Sequence, residues 1–150
     1  MSGNLTDTTD RAILNWITGT SIGSWVPPTT GYVALLTVDP GTTAANPTDP
    51  QLSELTELTA AGYARQAVTW SSSTSPANGL SQIQNSALIT FGPFTGSAGS
   101  GTPTVYGAFV TAASGTTGEV ISVWQWDTPV LAPQNQSITI PIANITLTQQ

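Results

Sequence analysis

The sequence predicts a mainly β fold, an antiparallel β-sandwich of about six or seven strands with one N-terminal α-helix. Short apolar segments are separated by turn residues along most of the chain, which is typical of small antiparallel folds. Threonine, which suits a pleated sheet, supplies much of the polar surface. A helical apolar stripe occurs only near the N-terminus. We expect a single domain, with the helix and a proline-rich arm at residues 1–30 and the β-sandwich at residues 31–150.

The predicted helix lies near the N-terminus. Thr8 or Thr9 is placed to cap it, and Gly19 is placed to end it. The segment from Trp25 to Pro28 then continues as a stiff, extended arm. The apolar stripe of the helix consists of Ile13, Leu14, Trp16 and Ile17.

The first predicted strands follow this arm. Residues 32–38 are almost continuously apolar, which predicts a central strand covered on both faces. Residues 39–50 are rich in proline, glycine and asparagine and are expected to form a loop. Residues 64–70 alternate, with Val68 and Trp70 on one face. Residues 80–91 hold one long strand or two short ones.

The clearest hairpin signal lies in the last third of the chain. Residues 105–112 and 119–127 flank a glycine-containing turn at residues 114–118. The parity of the apolar residues changes within the last strand, and a bulge near Ala143 and Asn144 is predicted to direct all of them to the core. These residues are Ile138, Ile140, Ile142, Ile145 and Leu147.

The composition argues against an enzyme. The chain contains no histidine, cysteine or lysine, and its only cations are Arg11 and Arg65. Histidine is the usual acid and base near neutral pH, and histidine and cysteine are the usual zinc ligands. We therefore expect no catalysis, no metal and no cofactor. A glycosidase needs only two carboxylates and remains a minor alternative, with Glu54 and Glu57 or Glu119 and Asp127 as the candidate pairs.

The net charge of −6 excludes two kinds of partner. A nucleic-acid-binding protein needs a basic surface, and two distant arginines do not supply one. The same argument excludes an anionic membrane surface. No apolar run reaches the length of a transmembrane helix, and we expect no signal peptide.

Five side chains are candidates for core or interface anchors. Trp124 and Trp126 point to the same face of one strand. Such a pair can form a sugar-binding platform, but tryptophan is more often buried in a core or a subunit interface. Arg65 is expected to satisfy carbonyl groups or to pair with a carboxylate. Trp16 on the helix and Trp25 on the arm complete the set.

One segment resembles a known family. Residues 57–66 read ELTAAGYARQ, which resembles a stretch in small tailed-phage virion proteins that are often labelled phage tail fibre proteins. Further pieces agree in order, namely LNW, PPT, YVALLT, NSA before ITF, and YGAF. Ala61 stands where a second glycine is common, which is expected to alter the turn before Tyr63. The resemblance covers most of the chain and implies a phage particle, homo-oligomers and no catalysis.

We therefore expect a structural protein on the surface of a tailed-phage virion, synthesised in the host cytoplasm. The leading interpretation is a capsid decoration or cement protein, a homotrimer that bridges subunits of the major capsid protein. It is favoured because the chain is short and has no fibrous repeat. The alternative is a tail fibre or tail-tip module that binds tail proteins and contacts host surface glycans through Trp124 and Trp126.

Overall fold

Strands dominate the computed structural model, which describes residues 2–6, 9, 11, 13, 30–46, 48–72, 82–95 and 103–148. The predicted mainly β fold with antiparallel sheets is confirmed. A short helix, α1, spans Pro40–Thr43, and a 3-10 turn spans Leu52–Glu54. Nine strands lie within the described residues: β1 Ser2–Leu5, β2 Gly31–Leu36, β3 Gln66–Val68, β4 Gln82–Gln84, β5 Ile89–Phe91, β6 Pro103–Val110, β7 Val120–Leu131, β8 Ile138–Ile140 and β9 Thr146–Thr148.

Seven of these strands form one sheet that closes on itself. The order is β3–β2–β6–β7–β1–β9–β4, and every pair is antiparallel except β1–β9. An isolated antiparallel bridge between Trp70 and Asn85 joins the two end strands. Two backbone hydrogen bonds flank this bridge, from Ser71 N to Gln84 O at 2.7 Å and from Ser86 N to Thr69 O at 2.8 Å. The remaining strands, β5 and β8, pair as a separate two-stranded sheet.

The N-terminal segment enters the sheet through a strand that the sequence does not predict. Strand β1 lies between β7 and β9. The amide of Thr9 then donates to Thr6 Oγ1 at 3.4 Å, the geometry of a helix N-cap at Thr6. Thr9 itself is helical, so the prediction of Thr9 as the cap is wrong, and Thr8 lies outside the described residues. Thr9, Arg11 and Ile13 are helical. The rest of the predicted helix and the arm, with Trp16 and Trp25, lie outside the described residues.

Strand β2 is buried on both faces, as its apolar run predicts. Val33 and Leu35 point into the core that the closed sheet surrounds. Ala34 and Leu36 point outward into a second apolar cluster, which Leu52 of the 3-10 turn covers. The segment after β2 therefore acts as a cover for the sheet. Asp39 fixes its start, because Oδ1 accepts a hydrogen bond from Gly41 N at 2.7 Å and caps α1.

The end of the chain differs from its prediction. A turn at residues 141–144, in which Ala143 has a φ of 61°, separates two strands that belong to different sheets. Strand β8 pairs with β5, and β9 pairs with β1 and β4. The predicted bulge is therefore wrong, and Ile142 lies 61% exposed on the turn. The other four apolar residues are buried, namely Ile138, Ile140, Ile145 and Leu147.

Candidate functional site

Strand β7 is interrupted where it faces β6. Tyr106 pairs with Gln125, but the next pair is Thr104 with Val130, so one residue of β6 stands opposite four residues of β7. The extra residues at positions 127–129 are exposed. A bulge of this kind bends a strand and redirects its side chains. Here it separates the second half of β7 from the regular part of the sheet.

A groove of about 490 Å³, here called the β7–β8 groove, lies between this half of β7 and β8. This volume is within the range of about 300–1,000 Å³ that small-molecule sites occupy. Trp126 and Leu131 are among its apolar lining residues. The polar lining residues are Asp127, Thr128, Gln136, Ser137, Thr139 and Asn144. The part of the lining that the structure describes therefore offers hydroxyl and amide groups, a single carboxylate and no cation.

The tryptophan pair of β7 lies in the core. Trp124 is 2% exposed and Trp126 is 8% exposed, and their rings meet edge to face with centroids 6.3 Å apart. Gly107 on β6 makes room for the first ring, because a Cβ at this position would lie 2.5 Å from Trp124 Cε2. Neither ring presents an exposed stacking face. Only Trp126 reaches the lining of the groove.

Arg65 connects two distant parts of the chain. Its side chain is 6% exposed and pairs with Glu57, whose side chain is 20% exposed. Nε donates to both carboxylate oxygens of Glu57 at 3.1 Å, and Nη2 donates to Oε1. The guanidinium also donates to the carbonyl of Ala112 at 2.9 Å and to that of Gly115 at 2.7 Å. Arg65 thus both pairs with a carboxylate and satisfies carbonyls in the β6–β7 turn.

Tyr63 extends this cluster toward β2. Its hydroxyl donates to Glu57 Oε2 at 2.8 Å and accepts from the amide of Leu35 at 3.0 Å. Burial raises the pKa of Tyr63 above its ordinary value, and the negative charge of Glu57 raises it further. Gly62 takes a φ of 87° in the preceding turn, whereas Ala61 does not take a positive φ. The positive φ in this turn therefore falls on Gly62, the glycine that the sequence retains.

One of the two carboxylate pairs considered for catalysis, Glu54 and Glu57, has structural partners. Glu54 accepts hydrogen bonds from the backbone amides of Ala45 at 3.0 Å and Gln51 at 2.8 Å, which lower its pKa. Glu57 is engaged by Tyr63 and Arg65.

Among the residues that the structure describes, no group of three or more potential ligand side chains is placed to hold a metal ion. No described helix is long and apolar enough to span a membrane.

Asn85 is a buried polar side chain whose structural role was not predicted from the sequence. It is 1% exposed. Its Nδ2 donates to the carbonyls of Ala87 at 3.0 Å and Pro141 at 2.8 Å, and its Oδ1 accepts from the amide of Ile145 at 2.9 Å. All of these partners are backbone groups, so no side-chain pattern in the sequence indicates them. Asn85 fixes the turn at residues 141–144 against the segment before β5.

One comparison with known proteins identifies a family. A family model described as Podophage GP4 fiber I protein gp80 matches residues 4–148. The match includes all nine strands apart from the first two residues of β1. No protein with a curated description matches the chain. The resemblance to phage tail fibre proteins is thereby confirmed, whereas the description gives no support to a capsid decoration protein.

Proposed function

Because the chain belongs to the podophage fibre I protein family, we propose that it is a structural component of the tail fibre, carried on the virion surface. The match over residues 4–148 is the observation that carries this proposal, since it covers nearly all of the chain. The closed seven-stranded sheet suits such a role, because strand edges that are already paired do not pair with the strands of other chains. The proposed partners are further copies of the chain and other tail proteins.

The proposed role involves no catalysis. Glu54 and Glu57 are engaged in hydrogen bonds to backbone amides, Tyr63 and Arg65. The composition supports the same proposal, because the chain has no histidine, cysteine or lysine. In this proposal the two carboxylates hold loops in place, and binding surfaces carry the function.

Antibody labelling of particles tests the tail position. Gold-labelled antibodies raised against the purified chain are applied to intact virions and viewed by negative-stain electron microscopy. We expect label at the tail. Label distributed over the head surface would contradict the tail-fibre proposal and would support a decoration protein. Particles without label, together with absence of the chain from their denatured protein, would contradict both.

The β7–β8 groove supports a second, more specific function, contact with a glycan of the host surface. Hydroxyl and amide side chains match the hydroxyl groups of a sugar, and Trp126 adds an aromatic group to the lining. Asp127 is the only charged residue among the described residues that line the groove, so a neutral glycan fits better than an acidic one. This groove replaces the exposed tryptophan platform that the sequence suggested.

A pair of substitutions tests the glycan contact. Thr139→Tyr places a ring in the groove, and Thr116→Tyr is the matched control, because Thr116 is exposed in the β6–β7 turn and does not line the groove. Binding is measured on an array of neutral and sialylated oligosaccharides. We expect the original chain and the Thr116→Tyr variant to bind a neutral oligosaccharide, and Thr139→Tyr to lose that binding. Equal binding by both variants, or binding of acidic sugars alone, would contradict this function.

A further inference from the structure

The β7–β8 groove lies between two strand edges that have no backbone partner among the described residues. The pairing that closes the seven-stranded sheet does not reach the second half of β7, because the last pair of β7 with β1 is Val123 with Asn4. Strand β8 pairs only with β5. Within the described chain, no bridge or backbone hydrogen bond joins residues 126–131 or 138–140 to a further segment.

The lining of the groove shows that it meets both strands at these free edges. Four consecutive residues, Ser137 to Ile140, belong to the described lining, whereas the face of a sheet would contribute alternate residues. No residue of β5 or β6 is among the described lining residues. The groove therefore lies on the side of each strand that faces away from its hydrogen-bonded partner.

A free strand edge is a binding surface for an extended peptide. It carries a row of backbone N–H and C=O groups, and a peptide that pairs with them is added to the sheet as a further strand. The edge at residues 137–140 is long enough for such pairing, because β3, β4 and β9 each hold their places with only three residues. A strand that enters the groove gains backbone partners on β8 and lies beside the second half of β7.

The charge of the groove indicates the composition of that peptide. Asp127 is exposed, and it is the only charged residue in the described lining. The net charge of the chain is −6, so an acidic segment is repelled. A segment with uncharged side chains and one basic residue opposite Asp127 complements the groove.

We propose that the β7–β8 groove binds an extended segment of another protein as an added strand beside β8. The segment carries one lysine or arginine and is otherwise uncharged. This inference goes beyond the proposed glycan contact, because it depends on the backbone groups of two strand edges and not on hydroxyl and amide side chains. A strand and a glycan compete for the groove, and the experiment separates them.

Peptides selected against the chain test the inference. A display library of short random peptides is panned against the purified full chain, and fluorescence anisotropy gives the dissociation constant of the strongest binder. The same peptide is made with N-methyl groups on its odd or on its even residues, so that each version lacks the backbone donors of one edge. Asp127→Lys reverses the charge at the groove. Glu119→Lys is the matched control, because it changes the net charge equally and lies outside the described lining.

We expect the selected peptides to contain lysine or arginine and few acidic residues. At least one N-methylated version should bind roughly tenfold more weakly, because it loses hydrogen bonds to a strand edge. Asp127→Lys should bind the peptide about fivefold more weakly than Glu119→Lys, as expected for exposed charges. Circular dichroism confirms that the variants fold, and Asp127→Asn is used if the lysine variant does not.

Three results would overturn the inference: no selected peptide, a peptide that neither N-methylation pattern weakens, or equal affinity of the two charge variants for the peptide. An oligosaccharide that binds where no peptide does would overturn this inference alone and leave the glycan contact in place. Peptide binding without binding of any oligosaccharide would overturn the glycan contact alone.

Discussion

Arg65 shows how a chain with few charges uses one of them. Charged residues make up 7% of the sequence, and a cation placed among backbone carbonyls is costly unless it is paired. Arg65 meets this requirement with Glu57 and with two carbonyls of the β6–β7 turn. The planar guanidinium suits these simultaneous bonds better than an ammonium group would. The residue type alone predicted both kinds of partner, but not their identities.

Removal of this cation should destabilise the fold. Arg65→Ala leaves Glu57 without its counter-charge and two turn carbonyls without a donor. We expect the free energy of unfolding to fall by ~3 kcal/mol, at the low end for a broken buried pair because Glu57 keeps some exposure to water. Urea unfolding measures the change. Arg65→Lys keeps the charge but loses the planar guanidinium, so its free energy of unfolding should lie between those of the original protein and Arg65→Ala. An Arg65→Ala variant as stable as the original would contradict this role.

Tyr63 should make the fold sensitive to high pH. Its pKa in the folded protein is raised, whereas an unfolded tyrosine ionises near pH 10. Above pH 10 the unfolded chain therefore binds fewer protons than the folded chain, and the free energy of unfolding decreases by about 1.4 kcal/mol per pH unit from this group. Below that pH the contribution of Tyr63 is constant.

The comparison with Tyr63→Phe isolates this effect. The other two tyrosines, Tyr32 and Tyr106, are present in both proteins and cancel in the difference. We expect Tyr63→Phe to be less stable at pH 8, by about 1 kcal/mol, because the amide of Leu35 loses its acceptor. The difference in the free energy of unfolding between the two proteins should narrow as urea unfolding is repeated up to pH 11. A gap that stays constant with pH would show that Tyr63 does not ionise on unfolding as argued.

At the scale of single elements, the contact between β6 and β7 depends on a missing side chain. Gly107 faces Trp124, and a Cβ there would lie well inside contact distance of the indole. Gly107→Ala must therefore displace a ring that the core packs on all sides. We expect a loss of roughly 1–3 kcal/mol of stability, as overpacked cores show. Thermal unfolding measures the loss. Gly41→Ala is the control, since the three atoms nearest to a Cβ there belong to the side chain of Asp39, at 3.1 Å or more. Equal effects of the two substitutions would contradict the packing argument.

The two ends of the closed sheet depend on Asn85. Asn85→Ala removes both donors and the acceptor of the side chain, so the buried carbonyls of Ala87 and Pro141 and the amide of Ile145 lose their partner. We expect a loss of about 1–3 kcal/mol for each group left unsatisfied, less where water enters. The midpoint of urea unfolding measures the change. Ser86→Ala, at the exposed neighbouring position, should change it by less than about 0.5 kcal/mol, and a similar shift for both variants would contradict the proposed role.

The sequence predicted those elements whose structure depends on the side chains of the same segment. The continuous apolar run of β2 predicted burial on both faces, and the glycine-containing turn predicted the β6–β7 hairpin. Strand β1 has no such pattern, because it is held by strands β7 and β9 at the other end of the chain. The parity change between Ile142 and Ile145 was visible, but a bulge and a turn between two sheets give the same parity. The structure distinguishes them by the φ of Ala143 and the exposure of Ile142.

The candidate sites were predictable only in part. The sequence singled out Arg65 and the two tryptophans of β7 by residue type and strand parity. The β7–β8 groove depends on four residues of β7 opposing one of β6, which no alternation of side chains indicates. The exposure of Ile142 was equally hidden, because an exposed Ile142 and a buried Ile140 look alike in one sequence. Both features arise from pairings between distant segments.

At the scale of the whole molecule, the account describes a closed, charge-poor β module of a podophage fibre family. Its stability comes from a core enclosed by the sheet and a second apolar cluster on the outside. Its described surface includes the β7–β8 groove, whose described lining holds a single charged residue. Such surfaces bind by shape and burial instead of by long-range attraction. This is the behaviour expected of a protein that assembles into a particle and remains there.

The copy number of the chain in purified virions tests the central claim most directly. Quantitative mass spectrometry compares the chain with the major shell protein of the same particles. The account predicts a few to a few dozen copies in each virion, because tail fibres are attached in small numbers that follow the symmetry of the tail. A ratio near one copy for each shell subunit, which corresponds to hundreds of copies, would contradict a tail-fibre component and would identify a decoration protein of the capsid.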